Sequence, residues 1–270
     1  LKQILLTESP WVNDALREEA QIQNISTLFR QKALEDNIRQ AVDKLLKAQN
    51  SDGGWPWFSG GRSSLYITQY LLSGAGRLLE KGAVLPEQRF LSKGSLQKAV
   101  RYMDAQVDEW YRDLKKSYPN DWKKQPVSPD ICHYLFARSF YAKNVKSDGE
   151  AYAFFMDKLE KEADKMDNIY LKTMAALTLY RVAVYEMGSR LERQDWNSNA
   201  RLKKAKQLME SIRAQAQQSE EMGMFWKKQG RGYYWYESQI ERQALLIDAF
   251  ELILQDMESV QQMKIWLLQQ

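Results

Sequence analysis

The sequence predicts an all-α fold: antiparallel helix pairs in two concentric layers, an inner ring of apolar helices wrapped by a more polar outer ring. Three observations lead there. Apolar residues recur at spacings of three and four almost throughout the 270 residues, the period of an amphipathic helix. Only 6 Pro and 13 Gly interrupt them, few for a loop-rich all-β chain. Apolar and polar helical stretches alternate along the chain with mostly short connections, which makes sequential helices antiparallel neighbours. The expectation is one α/α-toroid domain over residues 1–270, complete or truncated, with helices 65–82, 168–188 and 237–255 on the inner ring.

Taken in order, Ile38, Val42, Leu45 and Leu46 form the first stripe, and Ile67, Tyr70, Leu71, Gly74 and Leu78 the second. Leu96, Val100, Met103, Val107 and Trp110 mark a long, charged third helix. A further helix, carrying Ile131, Leu135 and Phe136, is entered through Ser128, a residue suited to capping, with Pro129 at its first position. Helices follow at about 149–165, 168–188, 198–217, 237–255 and 258–270. Leu171, Met174, Ala175, Leu179 and Val182 make 168–188 the central one. The stretch 198–217 is polar on most faces and belongs outside. No convincing alternating strand is present, and Gly232–Tyr236, "GYYWY", is the best short extended candidate.

Composition excludes several classes. The net charge of +4, from 39 basic and 35 acidic residues, is too balanced to argue for nucleic acid or a membrane surface. The locally basic Asp113–Lys124 reads as a solvated loop. No apolar run reaches the roughly 18 residues of a membrane span, and no secretory signal opens the chain. The first residue is Leu1, and the end, "MKIWLLQQ", falls within a helical pattern, so the reading is a fragment of a larger multidomain chain. One Cys exists, so no internal disulfide forms.

The most informative stretch is "QNSDGGWPWF", Gln49–Phe58. Asp52-Gly53-Gly54 is turn chemistry, because Gly takes positive φ and Asp bonds the backbone beyond it. Pro56 holds Trp55 and Trp57 in an extended path. Gln49, Asp52, Gly53 and Gly54 are therefore read as a clasp between helices, with one tryptophan pinning the loop and the other facing a cavity. "WFSGGRSSLYITQYLL" (Trp57–Leu72) is echoed by "WYESQIERQALL" (Trp235–Leu246), so Trp55, Trp57, Trp235 and Tyr236 are the candidate lining of an aromatic cavity.

Reactive constellations are sparse. His133 is the only histidine and adjoins the only cysteine, Cys132. Neighbours on a helix point about 100° apart, which does not suit a shared metal. The pair is read as buried and structural. Glu237 and Glu241 lie one helical turn apart beside the aromatics, where they complement a helix dipole or flank a sugar. No catalytic residue, metal site or cofactor is assigned.

Several segments, in order, resemble bacterial alpha-2-macroglobulins: "ESPWVNDA" (Glu8–Ala15), "SDGGWPWFSGG" (Ser51–Gly61), "YITQYL" (Tyr66–Leu71), "YYWYESQIERQALLIDAF" (Tyr233–Phe250) and "IWLLQQ" (Ile265–Gln270). The Gln49-to-Trp55 segment is similar to the Q-x-x-D-G-x-aromatic element of the wider α/α-toroid superfamily, which includes terpenoid cyclases and protein prenyltransferases. The resemblance implies a thioester-domain-like module of a large periplasmic or envelope-attached protease inhibitor. Its partners would be neighbouring β-sandwich domains and target proteases, with any membrane anchor elsewhere in the parent. The family's Cys-x-Glu-Gln thioester motif is missing, since Cys132 is followed by His133, Tyr134 and Leu135. The Asp-x-Asp-Asp cluster of squalene-type cyclases is also missing. Two alternatives stay open: a toroid enzyme acting on carbohydrate or isoprenoid, and a helical protein-binding scaffold.

Overall fold

A computed structural model of the chain describes residues 31–82, 94–143, 149–188, 198–232 and 234–270, with 31–35 as backbone alone. The Glu8–Ala15 segment and Tyr233 lie outside the described residues. Among those described the chain is mostly helical, as the periodicity predicts, with nine α-helices and two short hairpin ladders.

Helix α1 spans Gln31–Ala48. Strand β1 (Trp55–Pro56) pairs antiparallel with β2 (Ser63–Ser64) and leads into α2, Leu65–Glu80. Ser64 caps α2 by accepting from the Ile67 amide. Helix α3 is Ser95–Ser117, burying the predicted Leu96, Val100, Met103 and Val107. Helix α4 is Pro129–Ser139, with Ser128 accepting from the Ile131 amide and Pro129 in the first turn. There the missing proline N–H costs no helical bond. Helix α5 is Glu150–Glu162, and α6 is Ile169–Met187, capped by Asn168. Helix α7 (Ala200–Arg213) is capped by Asn199. Strands β3 (Gln217–Ser219) and β4 (Gly223–Phe225) form the second hairpin. Helix α8 (Gln239–Ala249) continues through a π-helical turn, Phe250–Leu254, and stops at left-handed Gln255. Helix α9 is Met257–Leu268, capped by Asp256.

Helices α2, α4, α6 and α8 pack in series, each against the next. Helix α3 packs on α2, α5 on α3 and α4, α7 on α6, and α9 on α8. The early turns of α6 and α8 meet the middle of α2 and α4 around one cavity. The ends of α2, α4 and α6 meet Leu252, beyond α8, around another. The four helices therefore run in the same direction, with their N-termini at one end.

Three expectations change. Helix α4 joins the central series although its sequence is not uniformly apolar. Every residue from Ile131 to Ser139 is buried. Its charge is absorbed locally: Arg138 Nε donates to Asp104 at 3.0 Å, and the Tyr134 hydroxyl donates to the same carboxylate at 2.7 Å. The helix expected at 198–217 ends at Arg213, because Gln217 enters β3. The extended candidate at 232–236 is not a strand in its described part: Trp235–Glu237 is a 3₁₀ turn, held by the Glu237 carboxylate accepting from backbone amides. The hairpins arise instead at 55–64 and 217–225, where ladders this short leave no alternation to detect.

Candidate functional site

The clasp residues act on one turn. Gln49 Nε2 donates to the carbonyls of Gly53 (2.8 Å) and Ser95 (2.9 Å), and the Ser95 hydroxyl donates back to Gln49 Oε1. Asp52 Oδ1 accepts from the Gly54 amide (3.0 Å) and the Ser63 hydroxyl (2.7 Å). Gly53 has φ +95°, and a Cβ there would collide with the Lys98 carbonyl on α3. Gly54 faces Ser63 and Tyr102 with no room for a side chain. One side-chain amide and one carboxylate thus tie the end of α1 to the start of α3 and to β2.

A second clasp recurs at β3–β4, at residues the sequence reading passed over. Trp55 Nε1 donates to the Leu45 carbonyl of α1 at 2.8 Å, and Trp226 Nε1 donates to the Ile212 carbonyl of α7 at 2.8 Å. Gly223, φ +68°, abuts the Gln262 carbonyl of α9 much as Gly53 abuts α3. Gln243 Nε2 bonds the Met224 and Met263 carbonyls. Trp55 and Trp226 thus hold matching places in the two hairpins, each bonding a carbonyl of the preceding helix.

The structure divides the four candidate aromatics. Trp55 is 1% exposed and belongs to the hydrophobic core. Trp57 is 67% exposed and stacks on Tyr66, centroids 5.6 Å apart. Trp235 approaches Tyr66 at 5.9 Å, His133 at 4.8 Å and Tyr170 at 5.9 Å. Tyr236 flanks Trp235 at 5.4 Å and stacks on Tyr234. Tyr66, unnoticed in sequence as a site residue, is therefore the hub through which the two loops meet.

Beside this cluster lies a cavity of about 240 Å³ between the four central helices. Helix α2 contributes Tyr70, Ser73 and Arg77; α4 contributes His133 and Phe136; α6 contributes Tyr170 and Met174; α8 contributes Ile240 and Glu241. The Tyr170 hydroxyl donates to Glu241 at 3.4 Å. Burial raises the Tyr66 hydroxyl above its ordinary pKa, and Glu241, Tyr70 and Asp130 add to it. Burial also raises the Asp130 carboxyl, offset by a hydrogen bond from Trp235.

Glu237 and Glu241 have different surroundings. Glu237 accepts from the Gly232 amide at 2.8 Å and closes its own turn against Gly230. Glu241 lines the cavity.

Cys132 and His133 are both buried. The thiol approaches the Leu171 carbonyl at 3.5 Å, and burial pushes its pKa up to about 12. Burial, with help from the Arg77 charge, pulls His133 down to about 3. A protonated thiol beside a neutral imidazole is not an activated nucleophile. Ser73 Oγ lies 3.4 Å from His133 Nε2, but its proton is committed to the Gln69 carbonyl at 2.7 Å. His133 Nδ1 is buried without a hydrogen-bond partner.

Among the described residues no group of His, Cys, Asp or Glu is placed to hold a metal ion, and no helix is long and apolar enough to cross a membrane. The chain matches no protein-family model, no curated protein and no solved structure.

Proposed function

We propose that the chain is a non-catalytic, thioester-domain-like α/α toroid from a bacterial alpha-2-macroglobulin-type protease inhibitor. One observation carries this reading. The resembling segments Ser51–Gly61, Tyr66–Leu71 and the described part of Tyr233–Phe250 converge around Tyr66 at one end of four parallel helices. Parallel inner helices, each followed by a returning outer one, are the toroid pattern, and the doubled clasp supports it. The role is mechanical: the module docks on β-sandwich neighbours in a periplasmic or envelope-attached parent, and moves when a protease cuts a bait segment elsewhere. The protonated Cys132 and the neutral His133, which has no carboxylate partner on Nδ1, favour this over a hydrolytic role.

The test uses the parent protein with an active protease and with the same protease covalently blocked at its active site. The proposal expects only the active enzyme to elute as a large complex, because capture requires bait cleavage. Capture of neither, or of both equally, overturns it.

A further inference from the structure

The cavity between the central helices has a chemistry that the inhibitor reading does not use. Its walls are aromatic: Tyr70, Phe136 and Tyr170 line it, and Tyr66 and Trp235 stand behind them in contact with His133. Its unmet polar groups are of both kinds. Arg77 is a donor: its Nε is buried without a hydrogen-bond partner, and its charge is offset by Asp248 at 3.6 Å. Glu241 is an acceptor, and the Tyr170 hydroxyl meets it only at 3.4 Å. Burial raises the pKa of Tyr170, Glu241 adds to the rise and Arg77 opposes it, so both charges act at that hydroxyl. His133, 2% exposed, adds an Nδ1 without a partner. Buried polar groups are normally satisfied, so an occupant here must both donate and accept. Tyr70 and Ile240 are about half exposed, which opens the mouth. Outside it the rings continue: Tyr70 stacks on Tyr66 at 6.2 Å, and Tyr66 on the exposed Trp57 at 5.6 Å.

From aromatic walls with an unmet donor and an unmet acceptor on different helices, we infer that this cavity binds one pyranose ring of a neutral saccharide. A hydroxyl both donates and accepts, so one sugar serves Arg77 and Glu241 together, and it suits His133 Nδ1 in either tautomer. The C–H faces of the sugar, slightly positive, pack on the negative faces of the aromatic rings. Charge selects against other occupants. A cation meets Arg77, and an anion meets Glu241. A zwitterion that sets its carboxylate on Arg77 brings it against Asp248. A lone amide carries donor and acceptor at one end, whereas a pyranose spreads hydroxyls around its rim. The cavity, about 240 Å³, is smaller than the roughly 300–1,000 Å³ of pockets for drug-sized ligands, which suits one ring rather than a chain. The next rings of an oligosaccharide would then lie along Tyr66 and Trp57. The inference stands independently of the inhibitor reading.

The test is calorimetric titration of the chain with cellotetraose and maltotetraose, with sorbitol, which has the hydroxyls without a ring face, and with L-leucine, which has both charges without hydroxyls. The expected result is saturable binding of at least one tetrasaccharide, with sorbitol and leucine at least tenfold weaker. Tighter binding of one tetrasaccharide assigns the linkage. Glu241→Leu and Arg77→Met, each removing one hydrogen-bonding partner, should each weaken the tetrasaccharide at least tenfold. Glu251→Gln, outside the cavity, should leave its affinity unchanged. Absence of saturable binding of both tetrasaccharides, binding of sorbitol or leucine as tight as theirs, or unaffected Glu241→Leu and Arg77→Met variants overturns the inference. If those two variants fail to fold, Tyr70→Ala, at the half-exposed mouth, replaces them, with the same tenfold loss expected and an unchanged affinity counting against the site.

Discussion

Replacing Gly53 by alanine tests the clasp at its tightest point, and Gly60 provides the control. Both have positive φ, +95° and +78°, but a Cβ on Gly60 meets nothing within 4 Å, whereas one on Gly53 collides with the Lys98 backbone. The left-handed region costs an L-residue about 1–2 kcal/mol. The stiffer unfolded chain of an alanine variant returns about 0.4–1 kcal/mol of that. Gly60→Ala should therefore lose between about 0 and 1.6 kcal/mol. Gly53→Ala adds an overpacking cost of about 1–3 kcal/mol, because the obstructing atoms are backbone and cannot rotate away. Its total is about 1–4.6 kcal/mol. For a chain of this size each kcal/mol lowers Tm by about 2–4 °C. Thermal and urea unfolding followed by far-ultraviolet circular dichroism should show Gly53→Ala melting about 2–12 °C below Gly60→Ala. Equal shifts would refute the reasoning, since the contact with α3 alone distinguishes the two sites.

Other outcomes follow from the same geometry. Trp55→Phe and Trp226→Phe should each cost about 1–3 kcal/mol in urea unfolding, because each removes an indole hydrogen bond to a helix carbonyl and shrinks a core ring, whereas exposed Trp57→Phe should stay within about 0.5 kcal/mol. Cys132 should resist a thiol reagent at pH 8 in the folded chain and react once urea unfolds it. Its folded pKa of about 12 lies above the unfolded value, so the unfolded chain holds fewer protons as pH rises, and this group's contribution to stability falls from about pH 9 upward. His133 has the opposite sign. Its folded pKa of about 3 lies below the ordinary 6.5 of an exposed imidazole. Between those values the unfolded chain binds the extra proton, so stability should fall as pH drops through that window. The slope reaches at most about 1.4 kcal/mol per pH unit. His133→Asn should flatten that part of a pH series of urea midpoints.

Much of the fold is legible because it is local. Ser128 and Pro129 announce the start of α4 by cap chemistry alone, and the apolar run of Ile169–Met187 announces a helix buried on most sides. The clasp is legible because Asp52, Gly53 and Gly54 each have a conformational reason to be there. What escapes the sequence depends on partners far along the chain. Helix α4 reads as half polar until Asp104 of α3 is seen to neutralise Arg138. Trp226 looks like one more aromatic until its indole is found on Ile212. The cavity is invisible for the same reason: Tyr66 and Trp235 become one cluster only when α2 and α8 are brought to the same end. Glu237 and Glu241, alike in spacing, separate once Gly230 and Gly232 wrap the first of them.

Inhibition by enclosure makes a demand that no other mode of inhibition shares, because the captured protease keeps its active site. The most direct measurement is the residual activity of a protease held by the parent protein, assayed against a short chromogenic peptide and against a large folded protein substrate. The account predicts near-complete loss of activity on the protein substrate with most of the peptide activity retained. Equal loss on both substrates, or no loss on either, would contradict it.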